Sequence, residues 1–290
     1  MVEKNNMKIL VSLLIFLFAP QMIWANNQLW QYSKSDSTKI VALLDEAKNE
    51  KEDTNFPLYF ANKFIGIRYV ASTLERNKTE KLVINLQELD CTTLVENVLA
   101  LTLCVKTKQY SFNQFCTFLQ KIRYNNGVIS YPTRLHYFSE WINDNTKQGF
   151  VKEINTPNPP FNSQQVLDLH YMSTQHHKYP RLVQNPSWIK EIIKMEQMVS
   201  GKTVNYIPKG ILNNSSLIKD VIKDGDIIAI VTARKGLDTS HIGFASCHNG
   251  QLHLLNASRI RGKVVDESMT LYQYMQTQRY QIGIRIIRVS

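Results

Sequence analysis

The hydrophobic positions of this chain change period part-way along. Over 37–48, Ile40, Leu43, Leu44 and Ala47 recur at the three-and-four spacing of an amphipathic helix, with Asp36 and Ser37 as its candidate caps. An apolar run over 58–65 predicts a second helix, stopped by Gly66. Phe115, Phe118, Leu119 and Ile122 predict another over 112–123, closed by the Asn125-Asn126-Gly127 turn, and 188–199 reads as a helix ending near Gly201. Between these, 82–86 alternates as a short strand and delivers the chain to Cys91. From there Leu94, Val95, Val98 and Leu99 resume helical spacing behind Asp90.

The last third reads differently. Runs rich in Ile, Val and Leu at 227–231, 241–245, 252–255 and 282–289 are strand-like, and they are separated by Lys223-Asp224-Gly225-Asp226, by 233–240 and by His248-Asn249-Gly250. A helix over 267–277 is expected before the final strand. Helices first and strands last predict an α+β fold with an antiparallel sheet or small barrel. No linker divides 26–290, which therefore reads as a single domain with an N-terminal helical elaboration. The Pro- and Asn-rich stretch 155–160 marks a surface crossing, 157–185 shows no clear period, and no internal repeat is found.

The N-terminus adds a destination. Lys4 and Lys8 precede an apolar run over 9–18, followed by Pro20 and the small residue Ala25, which is the pattern of a secretory signal cleaved near Ala25. The run is too short to span a bilayer comfortably. Residues 1–25 are thus expected to direct export, with the periplasm as the preferred address and no stable membrane insertion after cleavage.

Composition narrows the partners. A 290-residue chain that is 43% hydrophobic can bury a full core, and its net charge of +10 suits a polyanionic partner such as an acidic envelope polymer. The basic residues are spread rather than blocked and no nucleic-acid motif occurs, so nucleic acid is not expected as a partner. Four cysteines, Cys91, Cys104, Cys116 and Cys247, are too sparse for a disulfide scaffold and form no C-x-x-C pair. His170, His176 and His177 lack ligand periodicity, so no metal is expected. Whether Cys104 and Cys116 are bridged is left open.

Candidate chemistry centres on Cys91. A thiol at a helix start meets unpaired N–H groups and the positive end of the dipole, a setting that favours a thiolate nucleophile; alternatively it is a small core residue. A nucleophilic cysteine needs a base and a group that orients the base. His241 begins a strand after a polar loop, and Asn256 ends the next one. Across an antiparallel hairpin turning at Asn249-Gly250 those two ends are neighbours, which is Cys-His-Asn logic. His241 as a half-buried strand residue and Asn256 as a turn former are the bland alternatives. The window Tyr131-Pro132-Thr133-Arg134-Leu135-His136-Tyr137-Phe138 gathers groups suited to a carboxylate and a sugar or peptide face, Arg134 foremost, or else it is the polar flank of a helix.

In order, Gly66-x-x-Tyr69, Asp90-Cys91, Gly225-Asp226-Ile227-Ile228, Ser240-His241-Ile242-Gly243 and Asn256-Ala257-Ser258 resemble the NlpC/p60 superfamily of papain-like cell-wall hydrolases. Asp90-Cys91-Thr92-Thr93-Leu94-Val95-Glu96, Tyr69-Val70-Ala71-Ser72-Thr73-Leu74-Glu75 and Arg134-Leu135-His136-Tyr137-Phe138 resemble its N-acetylmuramoyl-L-alanine amidase-like branch. Thr92-Thr93 stands where the wider superfamily has Ser-Gly, and Arg68 and Ser72 where it has proline and glycine.

The resemblance implies a papain-like core in which the Cys91 helix packs on a sheet bearing His241 and Asn256. It implies hydrolysis, through a thioester and without a cofactor, of the amide between N-acetylmuramic acid and L-alanine in peptidoglycan or muropeptides. Cys91, His241 and Asn256 are the catalytic candidates. Arg134, His136, Tyr137, Tyr69 and Ser240 are the substrate-binding ones. The alternatives are an endopeptidase cutting between D-glutamate and the diamino acid, and a non-catalytic wall-binding protein.

Overall fold

The computed structural model describes residues 29–290 apart from 157 and 214; the signal sequence expected over 1–25 lies outside the described residues. Strand β1 (Trp30–Gln31) leads into helix α1 (Lys34–Ala47), whose cap is Ser33 rather than Asp36 or Ser37. Asp36 closes a capping box from the third helical position, and its other oxygen accepts the Leu86 N–H at 2.9 Å. That second bond needs Asp36 inside the first turn, where its side chain is buried.

Helix α2 (Phe56–Asn62) is capped by Asn55, and the chain then turns through Gly66 at φ +90° into β2 (Arg68–Tyr69). Of the strand expected over 82–86, only Leu82–Val83 forms one, β3, which pairs with β1; the separate β4 (Glu88–Leu89) follows it and pairs in parallel with β2. Helix α3 (Cys91–Lys106) follows directly and is roughly 24 Å long. Thr93 through Val105 are all buried, so the helix is enclosed on every side and forms the centre of the helical layer.

Helix α4 (Phe112–Arg123) lies against α3 with the bounds its periodicity predicts. The two are tied by a buried ion pair, Glu96 to Arg123 at 2.6 Å, and Arg123 also donates to the Val83 carbonyl. With every charge and donor placed, such a pair fixes the register of the helices more than it adds stability. Helix α5 (Phe138–Lys147) leads into β5 (Val151–Ile154).

The segment without a clear period contains β6 (Ser163–Val166) and the short helices α6 (Tyr171–Thr174) and α7 (Pro180–Gln184), followed by α8 (Trp188–Val199) and β7 (Thr203–Pro208). After the short α9 (Ser215–Lys219) come β8 (Ile227–Thr232), β9 (Thr239–His248), β10 (Gln251–Ser258), β11 (Lys263–Asp266), α10 (Leu271–Gln276) and β12 (Gln281–Val289). The last helix is shorter than the expected 267–277 because Thr270 caps it in a box with Gln273.

Among the described residues, one mixed sheet runs β4-β2-β11-β10-β9-β8-β12-β7-β6, with β5 beside the C-terminal half of β12. All of its pairings are antiparallel except β2 with β4. Both faces of its centre are covered. Ile227, Ala229, Phe244 and Leu255 face the helical layer around α3, while Ile228, Ile230, Leu254 and Ile286 face a second cluster with Leu271 and Met275 of α10. Two-sided burial is why β8 reads as an unbroken apolar run. A third cluster joins Leu169, Met172, Leu182 and Ile192 and roofs the start of β9.

Gly243 marks a tight approach between β9 and β10. A Cβ there would lie 2.7 Å from the Leu255 carbonyl oxygen and 2.9 Å from the Asn256 Cβ. Backbone on one side and a buried side chain on the other cannot yield, so Gly243→Ala forces β9 and β10 apart. We expect a loss of about 1–3 kcal/mol in urea unfolding; an unchanged midpoint would show that the hairpin has slack.

Candidate active site

Local sequence positions each reactive side chain. Asp90 caps α3 by accepting the Thr93 N–H at 2.8 Å, and the Thr93 hydroxyl returns the bond to the Asp90 N–H at 2.9 Å, so Cys91 is held at the first helical position. On the sheet, Ile230 stands opposite His241 and Val231 opposite Thr239, which leaves Ser240 as an extra residue. This β-bulge re-aims the side chain that follows it.

The β9–β10 register, with Leu255 opposite Phe244, continues to set Gly243 opposite Asn256 and His241 one step diagonally beyond. With no side chain at Gly243, the imidazole leans across the vacant position, and His241 Nε2 lies 2.9 Å from Asn256 Oδ1. Asn256 is fully buried, and its amide donates to the Leu254 carbonyl at 3.3 Å, which turns Oδ1 toward the ring. An amide oxygen only accepts, so Nε2 carries the hydrogen and Nδ1 keeps a free lone pair.

Cys91 and His241 share a cleft of about 200 Å³, walled by Leu135–Phe138 on one side and by Leu237–Ile242 on the other, with Met172 and Tyr179 above. Cys91 is partly exposed. Burial, and next the Asp90 carboxylate, push its thiol up to about 12; the Ile242 backbone N–H and the Thr92 hydroxyl and N–H pull the other way and lose. The expectation of a resting thiolate at this helix start is therefore corrected: the thiol is neutral. Burial also lowers His241 below its ordinary 6.5, against the opposing pull of Asn256, Glu267 and Asp90. The cleft thus holds a neutral thiol and a neutral imidazole.

The sequence model of the AmiA-like family, described as N-acetylmuramoyl-L-alanine amidase-like, matches residues 59–284, which include all three of these residues. The chain belongs to the AmiA-like family. It is 40% identical to the crystal structure of an N-acetylmuramoyl-L-alanine amidase from Bacteroides uniformis, with a TM-score of 0.76 over 81% of this chain and 98% of that one. It is 42% identical to a Bacteroides fragilis structure described as a putative xylanase, with a TM-score of 0.75 over 80% of this chain and 100% of that one. A Legionella pneumophila protein, 23% identical with a TM-score of 0.68 over 92% and 96% of the two chains, shares the fold. No curated protein matches.

In this AmiA-like chain the other expected binding residues separate. Arg134 does not reach the cleft: it is buried, pairs with Glu75 at 2.7 Å and with Glu80 at 3.4 Å, and lies over the Tyr131 ring. Its charge is spent on pinning the 75–80 loop, which corrects its assignment as a carboxylate binder. Tyr137 lines the cleft with its ring, but its hydroxyl is committed, donating to Glu196 at 2.6 Å and accepting the Met172 N–H at 2.9 Å. His136 and Ser240 line the cleft. Tyr69 pairs opposite Leu89 in the β2–β4 pair, and burial first, with the nearby Asp90 carboxylate also contributing, raises its phenol pKa. Arg68 pairs with Glu88 at 2.6 Å.

Asp238 was invisible in the sequence. Its carboxylate accepts the Ser139 N–H at 2.6 Å and the Thr239 N–H at 2.7 Å, so it caps α5 from another part of the chain and fixes the loop before His241. Gly243 did leave a signal, since a glycine inside a strand marks close approach. All four cysteines are free. Among the described residues no group of three or more His, Cys, Asp or Glu side chains is arranged to hold a metal ion.

A neutral resting thiol has a kinetic signature. Iodoacetamide modification of Cys91, followed by peptide mapping, should be slow at pH 7 and keep rising with pH well beyond the roughly 8.5 of a free cysteine. A rate that levels off near neutrality would contradict the neutral pair.

Proposed function

We propose that this protein is an exported cysteine amidase that cuts the bond between the lactyl group of N-acetylmuramic acid and L-alanine in peptidoglycan or muropeptides. The observation that carries this reading is the shared cleft of Cys91 and His241, with the ring held by Asn256 at 2.9 Å and Nδ1 free. The membership and the B. uniformis relative supply the substrate class. A Cys-bearing helix on a sheet bearing His and Asn supports a papain-like NlpC/p60 core, and the N-terminal charge and apolar pattern supports export to the periplasm.

Because both partners rest neutral, the proton moves as the bond forms. His241 Nδ1 takes the Cys91 proton while Sγ attacks the lactyl carbonyl, and the N–H groups at the start of α3 stabilise the oxyanion. The C–N bond then breaks and His241 returns the proton to the leaving amine of L-alanine. Water, deprotonated by the same imidazole, hydrolyses the thioester and restores the thiol.

A xylanase would need two carboxylates flanking a glycosidic bond. Of the described residues lining the cleft, Asp238 alone is acidic, and both its oxygens accept backbone N–H groups. The cleft therefore favours acyl transfer.

Mass spectrometry of a disaccharide-tetrapeptide incubated with the protein tests the reaction. The whole disaccharide and the whole peptide should appear, and Cys91→Ala should reduce the rate to less than roughly one part in 10³. A shortened stem still on the sugar would instead assign the endopeptidase reaction, and an untouched fragment a binding protein. The pH profile tests the base. Only neutral His241 accepts a proton, and its pKa lies below 6.5, so kcat/KM should hold as pH falls through 6.5 and fail only lower. An acid limb above 6.5 would contradict this assignment.

A further inference from the structure

His136 is the second imidazole on the cleft, and the proposed reaction gives it no task. Its Nε2 lies 2.8 Å from the Tyr131 carbonyl oxygen. A carbonyl only accepts, so Nε2 bears the hydrogen and Nδ1 is left as an acceptor. The ring is wedged against Tyr131, with centroids 4.8 Å apart, and Arg134 lies over that same tyrosine. Burial first, and then the Arg134 charge, drive His136 down to about 3. The ring is therefore neutral at neutral pH. Nδ1 is thus a fixed lone pair that does not turn into a donor, and among the described residues no donor is hydrogen-bonded to it.

We propose that His136 Nδ1 accepts a hydrogen bond from a secondary-amide N–H of the substrate, and so selects for a donor near the scissile bond. This rests on the amidase reading. A muropeptide offers that chemistry from two sources, the acetamido group of the sugar and the peptide link that follows L-alanine. A lone pair fixed on a ring that lines the cleft stays unpaired against an ester or a tertiary amide, so such analogues are rejected. Arg134, held by Glu75 and Glu80, serves this purpose at one remove, because its charge adds to burial in keeping the proton off the ring.

The test uses ¹⁵N-histidine-labelled Cys91→Ala protein and the disaccharide-tetrapeptide. On binding, the unprotonated Nδ1 resonance of His136 should move toward lower shift. It should fail to move with one of two analogues: an ester in place of the link after L-alanine, or an N-methylated acetamido group, whichever carries the donor. In the active protein, His136→Phe should raise KM roughly tenfold with kcat little changed, and should lose the discrimination against that analogue. His136→Gln, which offers an amide oxygen, should recover part of both. Cleavage by the parent protein with Nδ1 unmoved, or undiminished discrimination in His136→Phe, overturns this inference and leaves the amidase reading intact. A fragment left uncut that moves neither His241 nor His136 overturns both.

Discussion

The close approach of β9 and β10 at Gly243 is the constraint on which the site depends. Sheet geometry puts diagonal neighbours about 7–8 Å apart, within reach of an imidazole when nothing stands between the two. Gly243 supplies that gap, the bulge at Ser240 sets the angle, and the buried Asn256 has nowhere else to go. The sheet can hold so tight a contact because both its faces are packed, with α3 on one and α10 on the other. Core packing and site geometry are therefore one problem in this fold.

Cys91 shows a contest in which magnitude decides. A helix N-terminus is worth about 0.3–1 kcal/mol to an exposed anion and up to about 2 in favourable geometry, or roughly one pKa unit. Burial and the Asp90 carboxylate outweigh it, moving the thiol from 9.0 to about 12. The same Asp90 is the cap that fixes Cys91 at the helix start, so the feature that positions the thiol also helps keep it protonated. In the proposed reaction, the base therefore acts during attack, not before it.

Local signals made much of this legible. The helices over 112–123 and 188–199 fall where their apolar spacing puts them, because one face of each meets the core and the other meets water. The His241 and Asn256 contact followed from a hairpin and its turn. What escaped depends on distant partners. Strands β5 and β7 are recruited by the free edge of β12 and carry little pattern of their own. Arg134 looked available because Glu75 and Glu80, more than fifty residues earlier, could not be seen to surround it. Asp238 caps a helix that begins a hundred residues before it. The thiolate expectation fails because a sequence shows the dipole but not how far the cleft strips water from the thiol.

The central claim is that Asn256 acts through His241, and a double-mutant cycle tests it most directly. Kinetics of His241→Ala, Asn256→Ala and the double variant would be compared on the disaccharide-tetrapeptide, after urea titration has established the folded fraction of each. If Asn256 serves only to hold and polarise the ring, its loss costs nothing further once the ring is gone, so the double variant should match His241→Ala. Losses in kcat/KM that simply add would show that Asn256 works independently, and would contradict the account.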